Sequence, residues 1–347
     1  MRALALLGHG GIDSLAELDL PAPVISAPDQ VLVRVRAAAI NHLDLLLTEG
    51  VKGITLQFPH IVGTDGAGVV EATGEAVTGV RPGDRVTINP GISCGECDSC
   101  RRGDDPHCRS YQILGEHRPG TAAEFVVVPE RNVAVIPEDM PWEVAAAFPL
   151  STLTAWRMLT TRAGLLAGET VLIWGVGGGV ALAALAIAKH LGARAFATSS
   201  ANWKLERART LGADEVFNHA ETPPEEIARE VRKLTGGGAD VVVDTVGRST
   251  WDASLRSLRR GGRLVTCGAT SGPEVGLDIR RLFWFQWSLL GSTMGSHAEF
   301  AEVMALARAG KLWPVVDSVV PLAEGAAVYR RMERGEQQGK LVIEVSQ

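Results

Sequence analysis

Four of the five cysteines crowd one segment as Cys94-x2-Cys97-x2-Cys100-x7-Cys108. Thiolates at this spacing suit a metal that takes four sulfur ligands in a tetrahedron. Zinc held by four thiolates has no open position for a substrate, so its role there would be structural. A four-thiolate iron–sulfur cluster is the alternative, and a redox-active disulfide pair is a third reading. Arg101, Arg102 and Arg109 lie close by and would offset the negative charge of a four-thiolate site. The fifth cysteine, Cys267, stands alone in an apolar stretch and reads as a small buried residue.

A second chemical segment is Gly175-Val176-Gly177-Gly178-Gly179-Val180-Ala181, between an apolar run and an Ala/Leu-rich run. Glycines at a strand-to-helix turn let the backbone approach a pyrophosphate, and the helix N-terminus offers it free N–H groups. The best frame on the G-x-G-x-x-G/A fingerprint places Val176, Gly178 and Ala181 at its three positions, so only the middle one is glycine. By itself the turn also fits a plain connection between strand and helix. Small residues after it (Ala181, Ala183, Ala184, Ala186) allow close packing on a sheet and favour the dinucleotide reading. A second strand ends at Thr198, where an NAD site would carry an acidic residue for the ribose. The chain has Ser199-Ser200-Ala201-Asn202-Trp203-Lys204 instead. With Lys204 and Arg207 close in sequence, NADP(H) is expected, and NAD(H) stays possible. The residues expected at the cofactor are Gly175, Gly177, Gly178, Gly179, Val180, Ser199 and Lys204.

The elements that must position these groups fall into two textures. Early in the chain, Gln30 to Ala37 alternates apolar and polar residues, the pattern of a half-buried strand. Gly68 to Ala72, Asp84 to Asn89 and Phe125 to Pro129 read similarly, which predicts a small antiparallel barrel or sandwich. From Gly168 onward strands and helices alternate. Strands are expected at Val171–Gly175, Arg194–Thr198, Asp240–Asp244 and Arg263–Cys267. Helices are expected at Val180–Leu191, Trp203–Leu211, Pro224–Leu234 and Thr250–Arg260. Such alternation predicts a parallel sheet with right-handed crossovers. A helix near Ala298–Ala309 and a strand at Lys340–Val345 close the chain.

Composition narrows the function classes. A length of 347 residues favours two domains. With 46% hydrophobic and 21% charged residues, the chain is globular, not disordered. A net charge of −6 argues against a nucleic-acid partner. The apolar start, MRALALLGHGG, is too short for a secretory signal core. Val171 to Ala188 is uncharged and long enough to span a bilayer, but its clustered glycines break a helix. The expected setting is therefore the cytoplasm, with no membrane partner, where thiols serve metals more readily than disulfides.

Taken together these segments resemble the medium-chain dehydrogenase/reductase superfamily over nearly the whole chain. The resemblance is carried by Ala39-Ile40-Asn41-His42-Leu43-Asp44, by Pro59 to Gly68, by the cysteine lobe and by Gly120 to Phe125. It continues through the glycine turn, Leu211-Gly212-Ala213-Asp214, Val243 to Gly247 and Gly339-Lys340-Leu341-Val342. It implies an α/β protein: a mostly-β GroES-like catalytic domain, residues 1–151 with 293–347, around a Rossmann doubly wound cofactor domain, 152–292. It favours zinc at Cys94, Cys97, Cys100 and Cys108, and a homodimer or homotetramer built through the last Rossmann strand near Ser288 to Gly291.

Zinc alcohol dehydrogenases of this family also carry a catalytic zinc. Here its ligand positions fall on Asn41, Thr64, Asp65 and about Leu150, a poor donor set. Leu43 replaces the hydroxyl that begins the proton relay. The pattern is closest to the quinone oxidoreductase-like branch, except that it keeps the cysteine lobe. It implies NADPH-dependent hydride transfer to a quinone or α,β-unsaturated carbonyl without catalytic zinc. Asn41 would donate a hydrogen bond to the substrate oxygen. His42 would act on that oxygen or on the cofactor phosphates, and His117 would supply a proton. Asp44 is expected to pin backbone and Asp65 to organise hydrogen bonds. Trp284, Trp287 and Met294 fit either a pocket lining or a core or subunit contact. Two other readings stand beside this one: an alcohol dehydrogenase with a metal site built from Asp65 and a histidine, and a cofactor-binding protein without catalysis.

Overall fold

The computed structural model describes residues 1–346. They form two compact units, Met1–Leu153 joined by the chain from Met294 onward, and Thr154–Thr293.

The first unit is built on the strand Gln30–Ile40. Its alternation buries Val31, Val33 and Val35 on one face. The strand pairs antiparallel with Asp65–Thr73, Phe125–Pro129 and Lys340–Glu344, inside a seven-stranded sheet. The C-terminal strand adds one parallel partner, Val316–Pro321. Two register shifts interrupt the pairing of Gln30–Ile40 with Asp65–Thr73. Gly68 lies on that pair, and a Cβ there would collide with the Arg34 carbonyl. The register then sets the site: Ala39 faces Asp65, and Ile40 faces Leu341. Asn41, Asp65 and Lys340 therefore meet at one end of three adjacent strands.

The second unit alternates strand and helix: β1 (Thr170–Ile173), α1 (Gly179–His190), β2 (Arg194–Ser199), α2 (Asn202–Thr210), β3 (Glu215–Asn218), α3 (Pro224–Thr235), β4 (Ala239–Val243), α4 (Trp251–Ser257), β5 (Leu258–Thr266), α5 (Ile279–Phe285) and β6 (Ser288–Gly291). All neighbours are parallel, in the order β3-β2-β1-β4-β5-β6. This is a doubly wound sheet whose strand order reverses between β1 and β4. Its centre is fully apolar, with Leu172, Trp174, Phe196, Val242 and Leu264 all buried. α3 shows the local logic: Pro224 and two acidic residues open it, Ile227, Ala228 and Val231 face inward, and Gly236 ends it at φ 71°.

Several boundaries differ from the sequence reading. α4 stops at Ser257, because Leu258 already pairs with Ala239 in the sheet. Cys267 lies just beyond β5 and is partly buried; desolvation pushes its thiol up to about 12. β3 has no strand signal in the sequence, since it is four residues long and only half-buried. The long uncharged window resolves into β1, the glycine turn and α1, and among the described residues no helix is long and apolar enough to cross a membrane.

Candidate functional site: a buried ammonium cluster, a cysteine lobe and a glycine turn

Asn41 ends the central strand and begins the helix His42–Glu49. Its backbone N–H donates to Asp44 at 2.7 Å, and Asp44 also receives Gly63 N–H and the Thr64 hydroxyl. Asp44 is wholly buried, and desolvation pushes its carboxyl up to about 6. It pins the start of its own helix to the Gly63–Thr64 segment.

The Asn41 side chain is engaged at both ends. Its Nδ2 donates to Asp65 at 2.9 Å, and its Oδ1 accepts from the Lys340 ammonium. Lys340 also donates to Asp65 at 2.8 Å, with side-chain exposures of 3% and 0%. The other Asp65 oxygen accepts the Leu150 N–H at 2.8 Å. Thr64, Asp65 and Leu150 thus serve this hydrogen-bond network. Leu150 takes part through its backbone, and Thr64 gives its hydroxyl to Asp44. These residues do not fit a catalytic zinc: the Leu150 side chain has no ligand atom, and an ammonium occupies the carboxylate such a metal would need. Lys340 is the residue that sequence reading passed over. It stood in Gly339-Lys340-Leu341-Val342 only as a family landmark, and its position opposite Asn41 comes from strand pairing.

His42 is exposed at the first turn of its helix, with a pKa lowered by desolvation. His117 lies in a loop whose Gly115 fits closely over the Gly63 carbonyl. Its Nδ1 accepts the Ile113 N–H at 3.2 Å, which leaves the proton of the neutral ring on Nε2. Desolvation lowers its pKa, and the neighbouring Glu116 carboxyl is raised by burial. The fold ties the His117 loop to the Asp44 network through Gly63.

The cysteine lobe closes on itself. Sγ–Sγ separations are 3.8 Å for Cys94–Cys100 and 3.5 Å for both Cys97–Cys100 and Cys94–Cys108. All four sulfurs lie within 4.8 Å of one another. A zinc tetrahedron with ~2.3 Å bonds places its sulfurs about 3.8 Å apart, so the four thiols fit zinc. Backbone N–H groups of Cys94 and Cys97 donate to Cys108 and Cys94 sulfurs, as they would to thiolates. Arg101, Arg102 and Arg109 are exposed. The cation that packs on the lobe is Arg131, which donates to the Ser93 carbonyl and covers Gly95. Among the described residues this is the one group of three or more Cys, His, Asp or Glu side chains close enough to share a metal.

In the second unit the glycine turn follows β1. Gly175 sits at φ 72°, which a residue with a Cβ rarely adopts, and its N–H donates to Thr198 Oγ1. Val176 N–H donates to the Thr198 carbonyl, and Gly178 is the N-cap of α1 with no side-chain cap. Gly177, Gly178, Gly179 and Val180 therefore lead into a helix end whose first N–H groups stay available to an anion. Ser199 is buried at the end of β2. Lys204 is also buried, on α2, with its ammonium 5.3 Å from the Trp203 ring centroid. The expectation of NADP(H) rested on finding no carboxylate after β2. The fold supplies one from elsewhere: Glu221, after β3, accepts from Asn202 and Asn218 at 2.9 Å each. Of the three candidate pocket residues, Trp287 and Met294 are buried, whereas Trp284 is 65% exposed.

Comparison with known proteins agrees with both units. A family model described as "Alcohol dehydrogenase GroES-like domain" matches residues 27–138, and one described as "Zinc-binding dehydrogenase" matches 179–309. A solved NAD-dependent alcohol dehydrogenase superposes with a TM-score of 0.95 at 45% identity, covering 100% of both chains. An alcohol dehydrogenase of Geobacillus stearothermophilus is 32% identical over 91% of this chain and 92% of its own. The acryloyl-coenzyme A reductase of Metallosphaera sedula is 30% identical over 99% of each. A mostly-β unit, a doubly wound parallel sheet, a four-cysteine lobe and these full-length matches lead to one conclusion: the chain belongs to the medium-chain dehydrogenase/reductase superfamily, as an NAD(P)-dependent oxidoreductase of the alcohol dehydrogenase type.

Proposed function

We propose that this protein reduces an activated carbon–carbon or quinone double bond conjugated to a carbonyl, with hydride from NAD(P)H and without a catalytic zinc. The observation that carries this reading is the buried Asn41–Asp65–Lys340 cluster, in which Asn41 and Asp65 stand where the family resemblance puts catalytic-zinc ligands and Lys340 fills the space between them with an ammonium. Without a Lewis acid an alkoxide has no strong stabiliser, so an unactivated alcohol is a poor substrate. A conjugated carbonyl spreads the developing charge onto an oxygen that neutral donors can hold.

The nicotinamide supplies the hydride when bound. The residues of this chain do the rest. Asn41 Nδ2 has two hydrogens, one of which goes to Asp65. The second is the donor we assign to the substrate oxygen. Lys340 is a positioning residue: by holding Asn41 Oδ1 and Asp65 together it fixes the plane of the amide. Neutral His117, with its proton on Nε2, is the candidate proton source, and His42 is a second contact for the carbonyl or the phosphates. The glycine turn from Gly175 to Val180 would take the pyrophosphate. Cys94, Cys97, Cys100 and Cys108 would hold one zinc that stiffens the lobe. The acryloyl-coenzyme A reductase relative, whose name denotes a conjugated carbonyl, supports the same chemistry.

A homodimer is part of the proposal. β6 is an edge strand, and beside it α5 exposes Ile279, Phe283 and Trp284 at 65–68%. An open edge flanked by large apolar side chains fits a second copy of the chain.

Two measurements test the reaction. Metal analysis of the purified protein is expected to give one zinc per chain. NAD(P)H oxidation is expected with enones, enoyl thioesters or quinones and not with simple aldehydes. Two zincs per chain with efficient alcohol oxidation would sink the proposal.

A further inference from the structure

We infer that Glu221 sets the cofactor preference of this enzyme, selecting NAD(H) by opposing the 2′-phosphate of NADP(H). The inference refines the proposed function and rests on its dinucleotide site.

In a doubly wound sheet the turn after the second strand receives the 2′-substituent of the adenosine ribose. Here that turn runs from Ser199, the end of β2, to Asn202, the start of α2. Nothing in its own sequence is acidic. The turn is nevertheless held against the end of β3, because His219 N–H donates to the Ser199 carbonyl at 3.0 Å. Two residues on, Glu221 folds back onto the turn. Its Oε1 accepts from Asn202 Nδ2 and from Asn218 Nδ2, both at 2.9 Å. Asn218 Nδ2 also reaches Asn202 Oδ1 at 2.7 Å, which closes a three-residue ring of hydrogen bonds. The backbone tightens it, since both Glu221 and Thr222 donate to the Asn218 carbonyl.

This ring fixes a carboxylate on the first residue of α2. Both partners are neutral amides, and among the described residues no cation pairs with Glu221. Its negative charge is therefore uncompensated, and Oε2 keeps its acceptor capacity. A ribose 2′-hydroxyl can donate to such an oxygen. A 2′-phosphate brings up to two negative charges and no donor, so it meets repulsion. Lys204, the sequence candidate for a phosphate partner, is buried and lies over Trp203. The effect of one unit charge at about 5 Å, partly screened by water, is about tenfold in an equilibrium constant.

The test uses the full-length, zinc-loaded protein and reads the dissociation constants of NADH and NADPH by tryptophan fluorescence, without substrate. Wild type is expected to bind NADH more tightly. Glu221→Gln keeps an oxygen for both asparagines and removes the charge, and should shift the ratio about tenfold toward NADPH. Glu221→Lys should shift it further. Glu225→Gln makes the same charge change on the exposed first turn of α3 and should leave the ratio within about twofold of wild type. Tighter NADPH binding by wild type, or a ratio unmoved in both Glu221 variants, would overturn the inference alone. Failure of wild type to bind either nucleotide would overturn the dinucleotide site and the inference with it.

Discussion

Replacing Lys340 with methionine isolates the role of the buried cluster. Methionine keeps most of the volume and the unbranched stem but removes the ammonium. The change leaves Asp65, whose side chain is fully buried, with the N–H groups of Leu150 and Asn41 and no counter-charge. It also strips Asn41 Oδ1 of its donor. Removing one partner of a buried ion pair costs about 3–5 kcal/mol. In a unit of this size that lowers the melting transition by roughly 10 °C. Asp65→Asn alone should cost a similar amount, because it strands the ammonium. The double variant Asp65→Asn/Lys340→Met removes both charges. It should be more stable than the sum of the single effects by at least about 2 kcal/mol. Urea unfolding of the four proteins gives the coupling directly. Turnover provides a second readout: an Asn41 amide released from its plane should lower kcat about 100-fold and change KM far less. Additive stabilities, with Lys340→Met within about 1 kcal/mol of wild type, would refute the account of the cluster.

Four further outcomes are expected. Cys97→Ser should release the zinc proposed for the cysteine lobe, read by a chromophoric chelator, and lower thermal stability while dinucleotide binding persists. Gly175→Ala places a Cβ on a backbone at φ 72°; it should cost about 1–2 kcal/mol and weaken NADH binding in the same titration. His42, His60, His117, His219 and His297 all have pKa values lowered by desolvation. The unfolded chain therefore binds protons near pH 6.5 that the fold refuses, so their contribution to stability is lost as pH falls below about 6.5. Asp44 opposes this trend: its raised carboxyl favours the fold below about pH 4, and that contribution is lost as pH rises toward about 6. His60→Gln should flatten the acid limb in pH-dependent urea titrations, and an unchanged slope would remove His60 from the account. Trp284→Glu places a charge in the exposed apolar patch beside β6 and should shift sedimentation toward the monomer.

Much of this protein was legible along the chain because the signals are local. A parallel sheet buries whole strands, so β1 and β4 show as short apolar runs in the sequence itself. The cysteine lobe lies within one segment, and its spacing alone proposes the ligand set. The glycine turn shows through Gly175, whose backbone angle tolerates little else. The side chains gathered at the turn after β2 are less legible, because they come from separate elements. Glu221, the carboxylate held against that turn, follows β3, a strand four residues long and only half-buried, which leaves no periodic signal.

The sequence by itself determined two folding textures, a four-thiol cluster at metal-ligand spacing, a phosphate-type turn and poor ligands at the positions that the family resemblance assigns to a catalytic zinc. The first three depend on residues close together in the chain, where period and spacing act directly, and the last on a resemblance that runs along the whole chain. Only the tertiary structure decided what stands at those positions instead. Asn41, Asp65 and Lys340 are hundreds of residues apart at the extremes, and strand register alone brings Ile40 opposite Leu341 and Ala39 opposite Asp65. A lysine in a chain is by default a solvated charge. Burial beside a carboxylate and an amide turns this one into a fixed part of the site. The same holds for Glu221, an ordinary surface residue until two asparagines, one ending β3 and one opening α2, hold it against the turn after β2.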